Sequence, residues 1–497
     1  MVNLVPYEFW FLTGSQHLYG EDTLRQVAAD AQKIAASFNG GVQKGPYPVV
    51  YKPVLTNADD IEKIIREAEA SSSCAGIITW MHTFSPAKMW VRGLNALTKP
   101  LLHLNTQTNS AIPYATMDMD FMNLNQSAHG DREFGHVTAR MNVPRKVIAG
   151  HWAQGRFRER VFTWMRAAAA ATDARHLTVA RFGDNMRDVA VTDGDKVAAM
   201  GTFGWSVPYY GIGDLAEYLK AVSPGDIGRL MEEYESAYTI VPGKDKDYTY
   251  AHIREQAALE IALTAFLGDK KASAFTTNFE DLHGLKQLPG LAAQRLMASG
   301  FGFAAEGDWK TAAMVRALKV MAQGLPGGVS FMEDYTYNLE PGAGMILGAH
   351  MLEVCPSIAA AKPTLEVHPL GIGGKEDPAR LVFDGAPGSA LCAAVVDMGS
   401  RFRLVCNQAQ AVAAPEKFAA LPVARVLWKP EPAMETACEA WILAGGGHHT
   451  AFTTALDAEH LRDFAEICGI ECVVIGAGTE IPAFRNELRW NSAFWGK

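Results

Sequence analysis

The sequence predicts an α/β protein: two doubly wound, Rossmann-like parallel-sheet domains followed by a β-rich, barrel-like C-terminal domain. Three observations carry that prediction. Short apolar runs alternate with helix-compatible stretches from residue 8 to residue 322, the pattern of a parallel sheet covered on both faces. Beyond about residue 327 helical periodicity thins, and strand-like segments punctuated by Gly, Pro and Asp multiply. The 497 residues suffice for two to four domains, with no long linker or short repeat between them. Boundaries are placed at 1–173, 174–326 and 327–497.

The elements follow in order. EFWFLTG (8–14) reads as a buried strand running into a polar loop, with a helix over 21–38 and a strand at PVVYKPVL (48–55). Thr56 and Asp59 look like a capping box for a helix whose apolar face is Ile61, Ile64, Ile65 and Ala68. CAGIITWM (74–81) and KPLLHLN (99–105) are two more strands, and RFRERVFTWMRAAAAA (156–171) is a helix. HLTVARFG (176–183) opens the second α/β block. A helix over 252–267 shows Ala258, Ile261, Ala262, Ala265 and Phe266 on one face, with Gly268 placed to end it. SAFTTNF (273–279) and GFGFAAE (300–306) are strands, and Asp308 caps a helix over 308–322. The last block offers strands at GVSFMEDYTYN, PTLEVHPLGI, ARLVFDG, ALCAAVVDMG, FRLVCNQAQAV, ARVLWKP and EAWILAGG.

Composition narrows the function. Forty-five Lys and Arg against 54 Asp and Glu leave a net charge of −9, without the clustered basic excess of a nucleic-acid binder. A chain 48% hydrophobic and 20% charged has ample core, and no apolar run reaches bilayer length. MVNLVPYEFWFLTG lacks the basic start of a signal peptide, so a cytoplasmic location is expected. The seven cysteines lack CxxC spacing and read as reduced core thiols. A GxGxxG turn after a strand, a GxxxxGK[ST] phosphate loop and a GxSxG elbow are all missing.

Ligands of open α/β sheets gather beyond the carboxyl ends of strands. Three polar runs fall there: Gly14–Gly20, Met81–Phe84 and Asn123–Asp131. Their Gln, His, Asn and Tyr side chains donate or accept, which suits recognition of hydroxyl groups in a polar small-molecule site. Two carboxylates end apolar strands, Glu306 after GFGFAA and Glu333 after VSFM. His350 sits in an apolar, glycine-punctuated segment, and His448 and His449 follow three glycines that close a strand at 441–444. Two Glu and two His make a mixed oxygen and nitrogen site, suited to Mn²⁺ or a similar octahedral ion rather than structural Zn²⁺. No local motif links the four.

At these residues the chain resembles the bacterial L-arabinose isomerase family. The resemblance runs from Phe9-Trp10-Phe11-Leu12-Thr13-Gly14-Ser15-Gln16-His17 to Leu488-Arg489-Trp490-Asn491. Its most specific stretches are Trp80–Trp90, Asn125–Glu133 and Glu439–Gly446. It implies an aldose–ketose isomerase that converts L-arabinose to L-ribulose with one Mn²⁺ per subunit, Co²⁺ or Mg²⁺ being substitutes. The metal-binding set it implies is Glu306, Glu333, His350 and His449, with the two Glu also catalytic and His448 left without a role. Sugar contacts fall on Gln16, Leu18, Tyr19, Phe84, Gln126, His129, Met186, Thr276 and Phe279. The resemblance further implies a homohexamer in which an adjacent subunit supplies part of the pocket, including the His129 position. Metal-assisted proton transfer through a cis-enediol, with Glu306 and Glu333 as acid and base, is the expected route. Competing expectations are an isomerase of L-fucose or D-galactose and a non-catalytic two-lobed sugar binder.

Overall fold

Strand β1 (Glu8–Gly14) alternates its side chains between two cores, Phe9 and Phe11 facing one and Trp10 and Leu12 the other. That is what a strand covered on both faces requires. The structure is a computed structural model that describes residues 6–40, 44–371 and 374–496. The first five residues of the N-terminal segment, and Ile372 at the end of PTLEVHPLGI, lie outside the described residues. The chain forms two compact units. Residues up to Thr172, with Arg462–Ile467, make the first; Asp173–Leu461 and the described residues from Cys468 make the second.

In the first unit β1 joins β2 (Val49–Tyr51), β3 (Cys74–Met81), β4 (Leu101–Asn105) and β5 (Lys146–Ala149). The order is β2-β1-β3-β4-β5 and every pairing is parallel, a doubly wound arrangement. Every residue of β3, the central strand, is buried. The helix Ala58–Ala70 buries Ile61, Ile65 and Ala68 as expected, but its cap differs. Asn57, not Thr56, holds the first turn by accepting from the Asp60 N–H, while Thr56 hydrogen-bonds His17 at 2.9 Å.

The second unit begins with β6 (Val179–Phe182), β7 (Tyr209–Tyr210), β8 (Thr239–Ile240), β9 (Ala274–Thr277) and β10 (Gly302–Ala305). A second parallel sheet has the order β10-β9-β6-β7. The helix Lys246–Asp269 departs from expectation twice. It runs through Gly268, because nothing crowds that position and the reversal is made later by Lys271 at φ 52°. Its buried stripe is Ile253, Gln256, Ala257, Leu259, Ala262, Leu263, Phe266 and Leu267, so Ala265 is exposed and the face is rotated about one residue from that read in the sequence.

The barrel follows, from β11 (Val329–Asn338), β12 (Met345–Ala349), β15 (Gly388–Asp397), β16 (Phe402–Val412), β17 (Arg425–Pro430) and β18 (His449–Thr453), with β13 (Thr364–Val367) and β14 (Ala379–Val382) set aside. Antiparallel pairing runs β15-β18-β11-β12-β17-β16 and closes through β15 to β16, a six-strand barrel without a free edge. β19 (Glu471–Ile475) adds parallel to β16 outside the ring, and β14, β13 and β8 form a small separate sheet. EAWILAGG is not a strand. Met434–Ala444 is a helix, since Ala437, Ala440 and Ala444 bury one face at helical spacing and Gly445 ends it at φ 84°. Ala458–Cys468 and Ile481–Trp495 are further helices that the strand-rich reading passed over.

One barrel glycine is fixed by packing. A methyl group on Gly348 of β12 would lie 2.0 Å from the Trp428 ring. Gly348→Ala is expected to destabilise the protein by about 1–3 kcal/mol, seen as a lower urea midpoint at unchanged slope. An unchanged midpoint would mean that the ring moves aside at no cost.

Candidate metal and sugar site

The helix Trp309–Met321 lies within the second unit between the parallel sheet and the barrel, and is buried on almost every side. Its charged residues are therefore all paired: Arg316 with Asp173 at 2.9 Å, Lys319 with the Val329 carbonyl at 2.9 Å, and Lys310 with the Val191 and Asp193 carbonyls. The turn entering this helix sets Glu306. After β10 the chain reverses through Glu306 at φ 63° and Gly307 at φ 81°, and a side chain on Gly307 would strike Asn185 at 2.6 Å. A non-glycine residue in this conformation is strained by roughly 1 kcal/mol or more. The Met186 N–H, donating to the Glu306 carbonyl at 2.9 Å, helps hold it there.

Barrel register supplies the other side. Glu333 of β11 lies opposite Ala349 of β12 on one edge and His449 of β18 on the other. His350 follows Ala349, so three strands deliver Glu333, His350 and His449 side by side. The Glu333 carboxylate is 3.8 Å from His350 Nε2, and the Glu306 carboxylate is 3.5 Å from His449 Nε2. Phe331 stands edge-on to both imidazoles at 5.0 and 5.1 Å, holding them apart. Glu306, His350 and His449 each offer one ligand atom within 4.8 Å of the others, and so do Glu333, His448 and His449. The four residues picked out in the sequence converge.

Two further carboxylates orient the imidazoles. His449 Nδ1 donates to Asp308 at 3.1 Å, and His350 Nδ1 to Glu353 at 2.5 Å. Each ring is thus left with its Nε2 lone pair facing the cluster, and the buried Nε2 of His449 has no hydrogen-bond partner. An imidazole whose far nitrogen is held by a carboxylate is the usual arrangement of a metal-binding histidine. The donor set therefore fits a divalent cation. In the sequence Asp308 is legible only as a helix cap and Glu353 not at all, because neither lies in a ligand motif.

Burial and the neighbouring charges set the protonation of the cluster in opposing ways. Burial alone would raise the Asp308 carboxyl, but Lys310, His449 and Thr311 outweigh it and bring it down to about 2, so it stays an acceptor. Burial opposes charge on His350, yet Glu353, Glu333 and Glu306 raise it. Desolvation raises Glu333 against the pull of His350 and His449. Desolvation, with His449 beside it, pushes His448 down to about 4.

The predicted sugar contacts fall into two groups, one in each unit. In the second unit Phe279 lines a cleft with Thr277, Glu306, His350 and Met351. Thr276 lies in β9 beside Ala304, its buried hydroxyl without a partner, and Met186 is tied to Glu306 as above. In the first unit Gln16, Phe84, Gln126 and His129 follow strand ends, as expected for a doubly wound sheet. Gln16 donates to the Phe84 carbonyl at 3.1 Å, Gln126 to the Tyr19 hydroxyl at 3.3 Å, and the Phe84 and His129 rings lie 4.6 Å apart. Leu18 is 81% exposed. Beneath them Asp131 accepts from the Met81 N–H, His103 and Asn105, which pins the helix Ser127–Arg140 to β3 and β4. His82, stacked on Trp80 at 4.4 Å and paired with Asp30 at 2.7 Å, fixes the loop after β3.

The glycines before His448 and His449 do not follow a strand; they join the helix Met434–Ala444 to β18, which begins at His449. Gly446 lies against the Trp441 ring, where a side chain would meet it at 2.4 Å.

Comparison with known proteins places these features in a family. Residues 3–176 match the L-arabinose isomerase N-terminal domain, 178–324 the central domain and 328–471 the C-terminal domain. The L-arabinose isomerase of Geobacillus stearothermophilus is 60% identical over 496 residues, spanning 100% of this chain and 99% of its own. Those of Thermotoga petrophila and Thermotoga maritima are 58% and 57% identical over the same shares. With all three domains matched and identity sustained along its whole length, the chain belongs to the L-arabinose isomerase family of enzymes.

Proposed function

We propose that this protein interconverts L-arabinose and L-ribulose by metal-assisted proton transfer through a cis-enediol. The convergence of Glu306, Glu333, His350 and His449 carries the reading. These four would hold one divalent ion, Mn²⁺ by the chemistry of a mixed carboxylate and imidazole set, with Co²⁺ or Mg²⁺ as substitutes. When bound, the ion polarises the sugar carbonyl and lowers the pKa of the neighbouring hydroxyl.

The chain's own groups do the rest. One of Glu306 and Glu333 takes the C2 proton of the open-chain aldose while O1 is protonated, giving the cis-enediol. A proton is then delivered to C1 as O2 loses its own, so the product is the isomeric ketose with atoms and charge balanced. The two carboxylates are shared between base and acid roles as a pair. Asp308 and Glu353 keep His449 and His350 in one tautomer throughout. Gln16, Leu18, Tyr19, Phe84, Gln126 and His129 from one unit, and Met186, Thr276 and Phe279 from the other, are the proposed sugar contacts. A homohexamer in which a neighbouring subunit completes the pocket is part of this reading, carried over from the family resemblance.

The three-domain division at 173 and 326 is retained as a proposal, supported by matched segments that change at 176–178 and 324–328. A cytoplasmic location is proposed because none of the seven cysteines forms a disulfide. Among the described residues no helix is long and apolar enough to cross a membrane, and no membrane or nucleic-acid partner is proposed.

The test is ketose formation from L-arabinose, L-fucose and D-galactose with Mn²⁺ in deuterated water. L-Arabinose is expected to give the highest kcat/KM, and its ketose to carry solvent deuterium at C1. A faster reaction of either hexose would reassign the substrate. Full retention of the C2 hydrogen in the product would replace proton transfer with a hydride shift.

A further inference from the structure

The adjacent imidazole is unexplained by the reading above. His448 contributes one ligand atom to a set with Glu333 and His449, distinct from the set made by Glu306, His350 and His449. The two sets meet at His449. Its Nδ1 is committed to Asp308, which leaves Nε2 as the nitrogen without a hydrogen-bond partner. The two sets therefore adjoin at this one ring.

The surroundings of His448 differ from those of its neighbours. His350 and His449 are buried and each is tied through Nδ1 to a carboxylate. The His448 ring is half-buried, stands edge-on to His449 at 4.6 Å, and has no hydrogen-bond partner among the described residues. Only its backbone is anchored, the Asp334 N–H donating to its carbonyl at 3.2 Å. An imidazole that sits at the edge of the cluster without a second tether swings at little cost. An octahedral ion held by four protein groups has positions over for sugar oxygens. Before a sugar arrives, something must fill them.

We propose that His448 is an exchangeable ligand, coordinating the divalent ion beside Glu333 and His449 in the sugar-free protein and giving up its position to a sugar oxygen. Nothing is oxidised or reduced; a metal–nitrogen bond breaks as a metal–oxygen bond forms. The proposal rests on the metal reading given above and adds to it a ligand whose role depends on substrate.

The test is a titration of the full-length protein with Mn²⁺, free ion being read from its electron paramagnetic resonance signal. Wild type, His448→Ala and the closer-sized His448→Gln are compared, with near-ultraviolet circular dichroism confirming the fold. Each is titrated with and without L-arabitol, a polyol without a carbonyl, at a concentration set by its inhibition of wild-type turnover. Without the polyol both variants are expected to bind Mn²⁺ at least about tenfold more weakly than wild type. With it, the difference should shrink to within about twofold, because the polyol now occupies the position His448 would fill. Equal affinities without polyol would overturn the proposal, and a tenfold loss that persists in polyol would make His448 a permanent ligand instead. A wild-type protein that bound no Mn²⁺ would overturn the metal reading itself, a different outcome from either.

Discussion

Glu306→Gln and Glu333→Gln are each expected to lower kcat by roughly a thousandfold while leaving the circular dichroism spectrum and thermal midpoint near wild type. The amide keeps the shape and one oxygen of the carboxylate but neither gives nor takes a proton at neutral pH. Packing does not depend on the charge: the two side chains are 14% and 20% exposed, and that of Glu306 lines the cleft beside Phe279. Glu306 is held by its backbone turn, and Glu333 by its pairing with β12 and β18, both of which survive the change. A kcat loss that persists at saturating Mn²⁺ would mark a proton-transfer role, whereas a loss relieved by added Mn²⁺ would mark weakened metal binding and one confined to KM would mark sugar binding alone. Near-normal turnover in either variant would clear that residue of its role.

Removing divalent metal should abolish turnover to the limit of detection, and stoichiometric Mn²⁺ should restore it. The reasoning starts from the same four side chains. If two carboxylates and two imidazoles hold the ion as proposed, its removal leaves the sugar carbonyl without the polarisation that would make C2 acidic. Melting measured alongside activity separates two causes of loss. A chelated protein that is inactive yet melts near its holo temperature has lost chemistry. Turnover unaffected by a chelator strong enough to strip the protein would remove the ion from the mechanism altogether.

Local pattern made much of this protein readable. β1 and β3 were bounded correctly from their apolar runs, since buried parallel strands have few other signals and need few. The helix after Asp308 was equally plain, because the cap and the apolar surface coincide in one short segment. Errors arose where two states share a composition. Glu439–Gly446 is apolar enough for either a strand or a helix, and what decides is the face its alanines bury. The cap of Ala58–Ala70 lies one residue on because Thr56 is engaged by His17, 39 residues earlier in the turn after β1. The stripe of Lys246–Asp269 is rotated because Gln256 and Leu259 take inner positions while Ala265 faces outward, and small or polar residues on either face leave the apolar pattern ambiguous.

Read alone, the sequence determined the alternation of strands and helices, the polar loops beyond the parallel strands, and the residue types a metal and a sugar would need. Those depend on neighbours a few positions apart, which the chain itself places. Convergence depended on the tertiary structure. Barrel register puts Glu333 between Ala349 and His449, and the tight turn after β10 brings Glu306 to meet them. The carboxylates behind the imidazoles carried no ligand signal in the sequence: Asp308 meets His449 from 141 residues away, and Glu353, only three residues after His350, is brought to its ring by the local backbone path, which composition does not record.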